Sequence, residues 1–485
     1  MHPEPTIFEL STPGRSAMAL PAVDIKEQPV EQLLGRDNLR AELPLPEVSQ
    51  IDVIRHFTHL SSKNFGVDTG FYPLGSCTMK YNPKICLEIS SMPGFARLHP
   101  YQEEELSQGI LQILYEMQAF LAEIGGMDAV TLQPAAGAQG ELTALMIFKQ
   151  NHERVGEGHR RIVIVPDSSH GTNPATAARC GYEILKIPSG ANGLVDRSAL
   201  ASNLSRDVAA VMLTNPNTLG LFEAEISDIS QIVHDFGALL YCDGANMNAI
   251  LGINRPGDDG FDAMHFNLHK TFSAPHGGGG PGSGPVAVKK FLEPYLPVPT
   301  VGFDGKRYFL NYDHTESIGR MHSFYGNVSI IIWAYAYIIN LGPEGLKRVS
   351  ENAVLNANCL LSRINSAYEV PFGNRCMHEF VASAVKQKAA GVRALDIAKR
   401  LIDYGFHPPT IYFPLIVQEA LMIEPTETES IEALDAFADA MLAIAKEVDA
   451  DPESILSAPH ITPVSRLDEA SAARNLELTW KETGD

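Results

Sequence analysis

The stretch ALLYCDGANMNAILGINRPGDDGFDAMHFNLHK, residues 238–270, contains two short apolar runs, ALLYCDGA (238–245) and AMHFNLHK (263–270). A polar connection with Gly and Pro joins them. Near-continuous apolar runs bounded by Gly, Pro or Asp are how strands covered on both faces read. Working outward, the rhythm recurs in RRIVIVPD (160–167), YEILKIP (182–188), VAAVMLTNP (208–216) and GPVAVKK (284–290). Helical patterns lie between some of these runs, such as EISDISQIVHDFG at 225–237. The alternation predicts an α/β fold with a mostly parallel sheet, helices on both faces and short right-handed connections.

On either side the pattern changes. Residues 103–126, EEELSQGILQILYEMQAFLAEIGG, place Leu106, Ile110, Ile113, Met117, Leu121 and Ile124 on one stripe of 3.6 period, which predicts a helix. The Glu run suits its positive end, and Gly125–Gly126 stops it. A second helix is expected to start near Gly137. Beyond about residue 300, SIIIWAYAYIINLG (329–342) is apolar nearly all round and reads as a buried helix. ENAVLNANCLLSRIN (351–365) and ALDIAKRLIDYG (394–405) read as helices and EFVASAVKQ (379–387) as a strand. The last helix, at 430–449, carries Ile431, Leu434, Ala438, Met441, Ala445 and Val448 on one side, with Thr426 and Glu429 as its expected capping box. The first 100 residues are rich in Pro, Gly and turn formers, and LPLPE (43–47) reads as extended. Residues 1–100 are therefore expected to form an arm, 101–335 a large domain and 336–485 a smaller α+β domain. Tyr72, Cys77 and Met79 favour a buried course for the end of the arm.

Composition narrows the function classes. Of 485 residues, 37 are Lys or Arg and 58 are Asp or Glu, giving a net charge of −21. So acidic a chain is a poor partner for nucleic acid or an anionic membrane, and neither is expected. The six cysteines form no CxxC pair, and Cys242 sits within an apolar run as a small hydrophobe. No basic leader with a long apolar core opens the sequence and no run of 18 apolar residues occurs, so a reducing cytoplasmic setting is expected.

Chemistry concentrates where the strands end. In open α/β sheets, ligands bind at the carboxyl edge of the strands. Lys270 falls there, where an ammonium would be costly to bury unpaired. It reads either as a Schiff-base lysine or as a surface lysine. Asp243 ends the run ALLYCD, 27 residues earlier, at the same edge. A carboxylate there can keep the ring nitrogen of pyridoxal phosphate protonated and make the ring an electron sink; the alternative is a turn or capping aspartate. His170, in PDSSHGTNPA, follows another strand, where an imidazole can stack on a flat ring or simply satisfy its own loop. LQPAAGAQGELTAL (132–145) offers small residues, Ala136, Gly137 and Ala138, at a helix start, suited to a phosphate. This stretch carries neither GxxxxGK[ST] nor GxGxxG. The GGGG run at 277–280 is either a close backbone passage or a loop. His265 and His269, with no HExxH or paired Cys/His cluster beside them, do not read as a metal site. No GxSxG elbow occurs.

Longer motifs add to this. YPLGSCTMKYNP (72–83), LQPAAGAQGE (132–141), SSHGTNPA (168–175), LTNPNTLGLFE (213–223), CDGANMNA (242–249), NLHKTFSAPHGGGGPG (267–282), SIGRMHSFYGN (317–327), CMHEFV (376–381) and TPVSRLDEASAAR (462–474) resemble the glycine-cleavage P-protein family, in its two-subunit type, from about residue 60 onward. The resemblance implies a fold-type I, aspartate aminotransferase-like architecture that binds pyridoxal 5'-phosphate. It implies Lys270 as the Schiff-base lysine, Asp243 at the ring nitrogen, His170 stacked on the ring and Ala245 on the opposite face. Asn215 would face the ring hydroxyl, and His269 would lie beside the lysine and the phosphate. Ser273 departs from the cysteine that relatives often carry. The implied reaction is decarboxylation of glycine, with the aminomethyl group passing to the lipoyl arm of H-protein. This chain would be the second, C-terminal-half subunit, paired with a first subunit as α2β2. The enzyme class is an oxidoreductase by traditional name, yet the step needs no nicotinamide.

Two other readings stand beside this one. Another fold-type I decarboxylase, lyase or aminotransferase would share Lys270 and Asp243 without needing a lipoyl partner. A non-catalytic scaffolding subunit would be expected to have lost Lys270, Asp243 or His170, and all three are present. Arg320 and Arg375 are the arginines considered for the substrate carboxylate.

Overall fold

The computed structural model describes residues 3–277, 280 and 282–479. Gly278, Gly279 and Pro281, in the glycine-rich run, lie outside the described residues, so the reading of that run as a close backbone passage does too. The chain forms two compact units: residues up to Thr69 together with those from Pro459, and Gly70–Ala458.

In the first unit the longest helix is Gln50–Ser62, opened by a reciprocal capping box between Ser49 and Asp52. His56 is its only buried residue, and Ile51, Ile54 and Phe57 are exposed. LPLPE at 43–47 has no regular secondary structure, as its prolines dictate.

The second unit is built on a seven-stranded sheet. Its strands are β1 (Ala129–Thr131), β2 (Ile162–Pro166), β3 (Glu183–Ile187), β4 (Val208–Thr214), β5 (Leu239–Gly244), β6 (Ala263–Phe266) and β7 (Val286–Val288). Their order is β1-β7-β6-β5-β4-β2-β3. β7 is antiparallel to both its neighbours, and the β6-β5-β4-β2-β3 pairs are parallel. The apolar runs are near-continuous because the sheet is covered twice. Leu239 and Tyr241 enter one core while Leu240 and Cys242 enter the other. All six expected strands form. β1, only three residues long, was too short to give a periodic signal.

Helix Gln108–Gly125 packs on the sheet, with Gly126 in the left-handed region at its end (φ 67°). It starts later than its sequence suggests. The Glu run at 103–105 lies in the turn before it, and Leu106 is exposed. Helix Val328–Ile364 breaks at Gly342 (φ 60°), followed by Pro343, into the two helices that the sequence separates.

A hairpin of β8 (Thr300–Phe303) and β9 (Tyr308–Asn311) follows the large sheet. A second core then gathers around a three-stranded antiparallel sheet of β10 (Phe380–Ser383), β11 (Thr410–Ile411) and β12 (Ala420–Ile423), in the order β10-β12-β11. Phe71, Tyr368, Phe380 and Phe437 fill it. Helix Ile431–Ala450 covers this sheet with Leu434, Ala438, Met441 and Val448 buried. Its N-cap is Ser430, whose hydroxyl accepts the Ala433 N–H, and not the expected Thr426 with Glu429. Thr426 instead has φ 61° in the preceding turn.

Residues 72–83 run against this second sheet. Leu74 bridges to Ile423, Gly75 N–H donates to Met422 O at 3.2 Å, and Thr410 Oγ1 donates to Gly75 O at 2.8 Å. Lys80 is buried on Glu427 (2.7 Å), Asn248 (3.0 Å) and Tyr337 (3.2 Å), which satisfies its ammonium. Among the described residues, no helix is long and apolar enough to cross a membrane.

Candidate active site

A cavity of about 220 Å3 opens at the carboxyl edge of the parallel strands. Thr214 ends β4, Asp243 lies near the end of β5, and Asn267, His269 and Lys270 follow β6; all line it. His170 and Thr172, from the loop after β2, complete one wall. Gly137, Ala138 and Glu141, at the start of helix Gly137–Arg154, form another. Short connections deliver each of these residues to the same edge.

Lys270 lies in a turn four residues beyond the end of β6, and its Nζ donates to Ser76 O at 2.9 Å. Asp243 is almost fully buried. Its Oδ2 accepts from Asn173 Nδ2 at 2.9 Å, and its Oδ1 accepts the Ala245 N–H at 3.1 Å. His265 Nε2 stands 3.7 Å from Oδ1. Burial alone would raise this carboxyl, but His265, the Asn173 amide and the Ala245 N–H outweigh it and hold it below the ordinary carboxylate range. The group is a fixed, desolvated anion.

His170 Nδ1 lies 2.9 Å from Thr172 Oγ1, which donates to Glu141 Oε1 at 2.6 Å. The Phe413 ring meets His170 edge-on at 5.7 Å. His269 Nδ1 accepts the Ser283 N–H at 3.3 Å. Burial first, then His276 and Lys270, push His269 down to about 3, so it is neutral.

The helix that starts at Gly137 spans 18 residues, and no side chain caps its first turn. Its leading N–H groups and positive end suit an anion. Gly137 is needed for a reason the sequence did not show. A Cβ there would fall 2.4 Å from Asn267 Oδ1 and 2.9 Å from His265 Nε2, so only glycine lets the helix start sit against β6. Six buried polar atoms of the lining, His265 Nε2, Asn267 Oδ1, Glu141 Oε2, Thr214 Oγ1 and both ring nitrogens of His378, have no hydrogen-bond partner among the described residues. Such a cluster calls for a polar guest.

Lys270, Asp243, His170, Ala245, His269, Gly137 and Ala138 thus come together around one cavity. Ala136 is the N-cap residue just outside it. Asn215 lines a separate small cavity of about 20 Å3, where its Oδ1 accepts the Glu223 N–H at 2.9 Å. Arg320 and Arg375 are not among the lining residues; the Arg320 guanidinium lies over Tyr101 and Tyr312 at 5.2 and 5.8 Å. Sequence reasoning did not single out Asn173, Glu141, Ser76, His378 or Glu379. All five lie inside motifs already noted, SSHGTNPA, LQPAAGAQGE, YPLGSCTMKYNP and CMHEFV, which was the available signal.

The loop carrying His378 and Glu379 is seated on Gly220. Gly220 O accepts the Met377 N–H at 2.7 Å, and a Cβ on Gly220 would fall 1.8 Å from Glu379 O. Gly220 also has φ +75°. Gly220→Ala is expected to destabilise the fold by about 2–4 kcal/mol, from overpacking plus left-handed strain. A urea melt indistinguishable from wild type would contradict this contact.

Comparison with known proteins identifies the family. The family model of the glycine cleavage system P-protein matches residues 25–309, and that of the glycine dehydrogenase C-terminal domain matches 349–459. The chain belongs to the glycine cleavage system P-protein family. It is 60% identical over 475 residues to a probable glycine dehydrogenase (decarboxylating) subunit 2 of Caldanaerobacter subterraneus, covering 98% of each chain. It is 58% identical to the protein of the same name from Halalkalibacterium halodurans, again covering 98% of each. Among solved structures, an inhibitor-bound glycine decarboxylase (P-protein) superposes with a TM-score of 0.72 at 21% identity, covering 86% of this chain and 94% of that one. A Lactobacillus brevis glutamate decarboxylase gives 0.67 at 13%, covering 87% and 96%. These likenesses establish a shared fold.

Proposed function

We propose that this chain is the second subunit of a two-subunit glycine dehydrogenase (decarboxylating), an oxidoreductase by class. It removes the carboxyl group of glycine as CO2 and passes the aminomethyl group to the lipoyl arm of H-protein. The observation that carries this reading is the convergence of Lys270, Asp243 and His170 on one cavity beside an uncapped helix start. Pyridoxal 5'-phosphate fits the residues present. The orphaned polar atoms of the lining, the buried Asp243 carboxylate and the free N–H groups of the helix each match a part of it.

When bound, that cofactor supplies an aldehyde for the amine of glycine and a ring that takes up the electron pair left as CO2 departs. The rest is the work of the chain. Lys270 Nζ would hold the cofactor at its aldehyde end. Asp243 would hold a proton at the ring nitrogen, and Asn173 and the Ala245 N–H keep that carboxylate in place. His170 and Ala245 would hold the ring between them, with the His170 ring fixed by Thr172 and Glu141. The N–H groups of Gly137 and Ala138 would hold the phosphate, with His269 nearby in the lining.

The partners are a first subunit, in an α2β2 assembly, and lipoylated H-protein. Exposed Leu20, Leu33, Leu43, Leu45, Ile54 and Phe57 in the first unit support a chain that buries surface against a partner. Permanent interfaces of this kind cover more than about 2,000 Å2. The chain expressed alone is expected to release little CO2 from carboxyl-labelled glycine. Co-expression with a first subunit should restore lipoyl-dependent release and raise the mass in solution to that of the assembly. Full activity from the isolated chain would overturn the two-subunit reading. Release that ignores H-protein would favour a different fold-type I decarboxylase.

A further inference from the structure

The cavity lining also carries a group of side chains that the reaction as described leaves unused. His378 and Glu379, just before β10, line the cavity, and Glu424, just after β12, lies behind them. Polar atoms of the three lie within 4.8 Å of one another. All are almost fully buried, at 1%, 3% and 0% exposure. Both ring nitrogens of His378 lack a hydrogen-bond partner.

The two carboxyls are not equivalent. Glu424 accepts three donors: the Thr78 N–H (3.1 Å), Thr78 Oγ1–H (2.8 Å) and Asn246 Nδ2–H (2.9 Å). These fix it as an acceptor through both oxygens and, with Lys270, pull its carboxyl down, although burial still holds it up at about 7. Glu379 accepts one, the Ser76 N–H at 2.7 Å on Oε2. Its Oε1 lies 3.6 Å from His378 Nε2, beyond hydrogen-bond reach. Two neighbouring buried carboxylates do not both stay charged, and the proton goes to the one with fewer donors. Burial first, and then the Glu424 charge, drive the Glu379 carboxyl far up; the Ser76 N–H and Lys270 oppose this without reversing it. Burial, with Lys270 adding to it, pushes His378 down to about 3, so the ring is neutral.

We propose that Glu379, kept as a neutral carboxylic acid by Glu424, forms with His378 the subsite that takes the carboxylate of the amino-acid substrate through uncharged donors. This inference rests on the glycine-decarboxylating reading above. The logic is that of differential binding. An arginine clamp would stabilise a substrate carboxylate most while it is still charged, and that stabilisation is lost as the group becomes neutral CO2. Uncharged donors orient the group and release it. Among the described residues the lining contains no arginine, and Lys270 is engaged by Ser76 O.

Two measurements on the purified holoenzyme test this. Difference infrared spectroscopy between wild type and Glu379→Gln should show a protonated-carboxyl stretch near neutral pH that the variant lacks. Glu424→Gln removes the charge behind Glu379, and the band should then weaken. Cofactor absorbance is next titrated with glycine and with methylamine, which has no carboxylate. Glu379→Ala should weaken glycine roughly tenfold or more, as expected for a hydrogen bond to a charged group, and leave methylamine within about twofold. Glu379→Gln, still a neutral donor, should recover most of the glycine affinity. Absence of the band, or tighter glycine binding by Glu379→Gln, would mean an ionised Glu379 and overturn the proposal. So would equal losses for glycine and methylamine, or a divalent cation that co-purifies with the wild type and is lost in Glu379→Gln. If wild type binds methylamine but gives no response to glycine, the glycine reading itself fails, whatever the infrared band shows.

Discussion

Lys270→Ala should abolish the visible absorbance of the holoenzyme and lower CO2 release from glycine by more than about 10^3-fold. A positioned acid–base group alone is worth roughly 10^2–10^4-fold, and this lysine also holds the cofactor aldehyde. The variant should still fold. The Lys270 side chain is half-buried, and its Nζ has a single hydrogen bond, to Ser76 O, so the cost in stability should be about 1 kcal/mol. Borohydride treatment of the wild type followed by peptide mapping should place the pyridoxyl label on Lys270. A label on another lysine, with turnover surviving in Lys270→Ala, would remove this residue from its role. Lys80 is the internal control: it is a buried lysine, but Glu427, Asn248 and Tyr337 already take its three protons, and it should stay unlabelled.

The second large effect is expected at Asp243. Asp243→Asn keeps the size of the side chain and removes its charge. A fixed anion in a desolvated site is worth several kcal/mol to charge developing against it, so turnover should fall about 10^2–10^3-fold. The Ala245 N–H can still meet the new amide oxygen, and a flip of the Asn173 amide lets its unpaired Oδ1 accept from the new amide N–H, so stability should change by only about 1 kcal/mol. The comparison to make is single-turnover CO2 release against a thermal melt of the same assembled sample. Undiminished release would refute the assignment. A melt that collapses alongside release would mean that Asp243 serves the fold and not the chemistry.

Much of this molecule was legible in the chain because short-range rules fix it. Doubly covered strands must be apolar on both faces, so Leu239, Leu240, Tyr241 and Cys242 announce β5 without any alternation. Right-handed crossovers deliver every parallel strand to the same carboxyl edge. That is why residues as far apart as His170, Asp243 and Lys270 could be assigned to one site from their positions after strands. The long motifs fixed the family for the same residues.

The rest is decided by packing between segments distant in sequence. Ser76 reaches Glu379 across 303 residues, and Thr78 reaches Glu424 across 346. No periodicity within either segment encodes those contacts. They exist because residues 72–83 run along the small sheet and carry its acidic groups to the cavity. Asn215 ends a strand as the others do, yet its side chain is spent on the Glu223 N–H and faces a different cavity. Position after a strand sets which edge a residue occupies; the neighbours that fold against it set where its polar atoms point. The sequence by itself therefore determined the sheet, the edge and the family. Only the tertiary structure decided which carboxyls are charged, because ionisation in a buried site depends on donors and like charges that separate segments bring within a few ångströms.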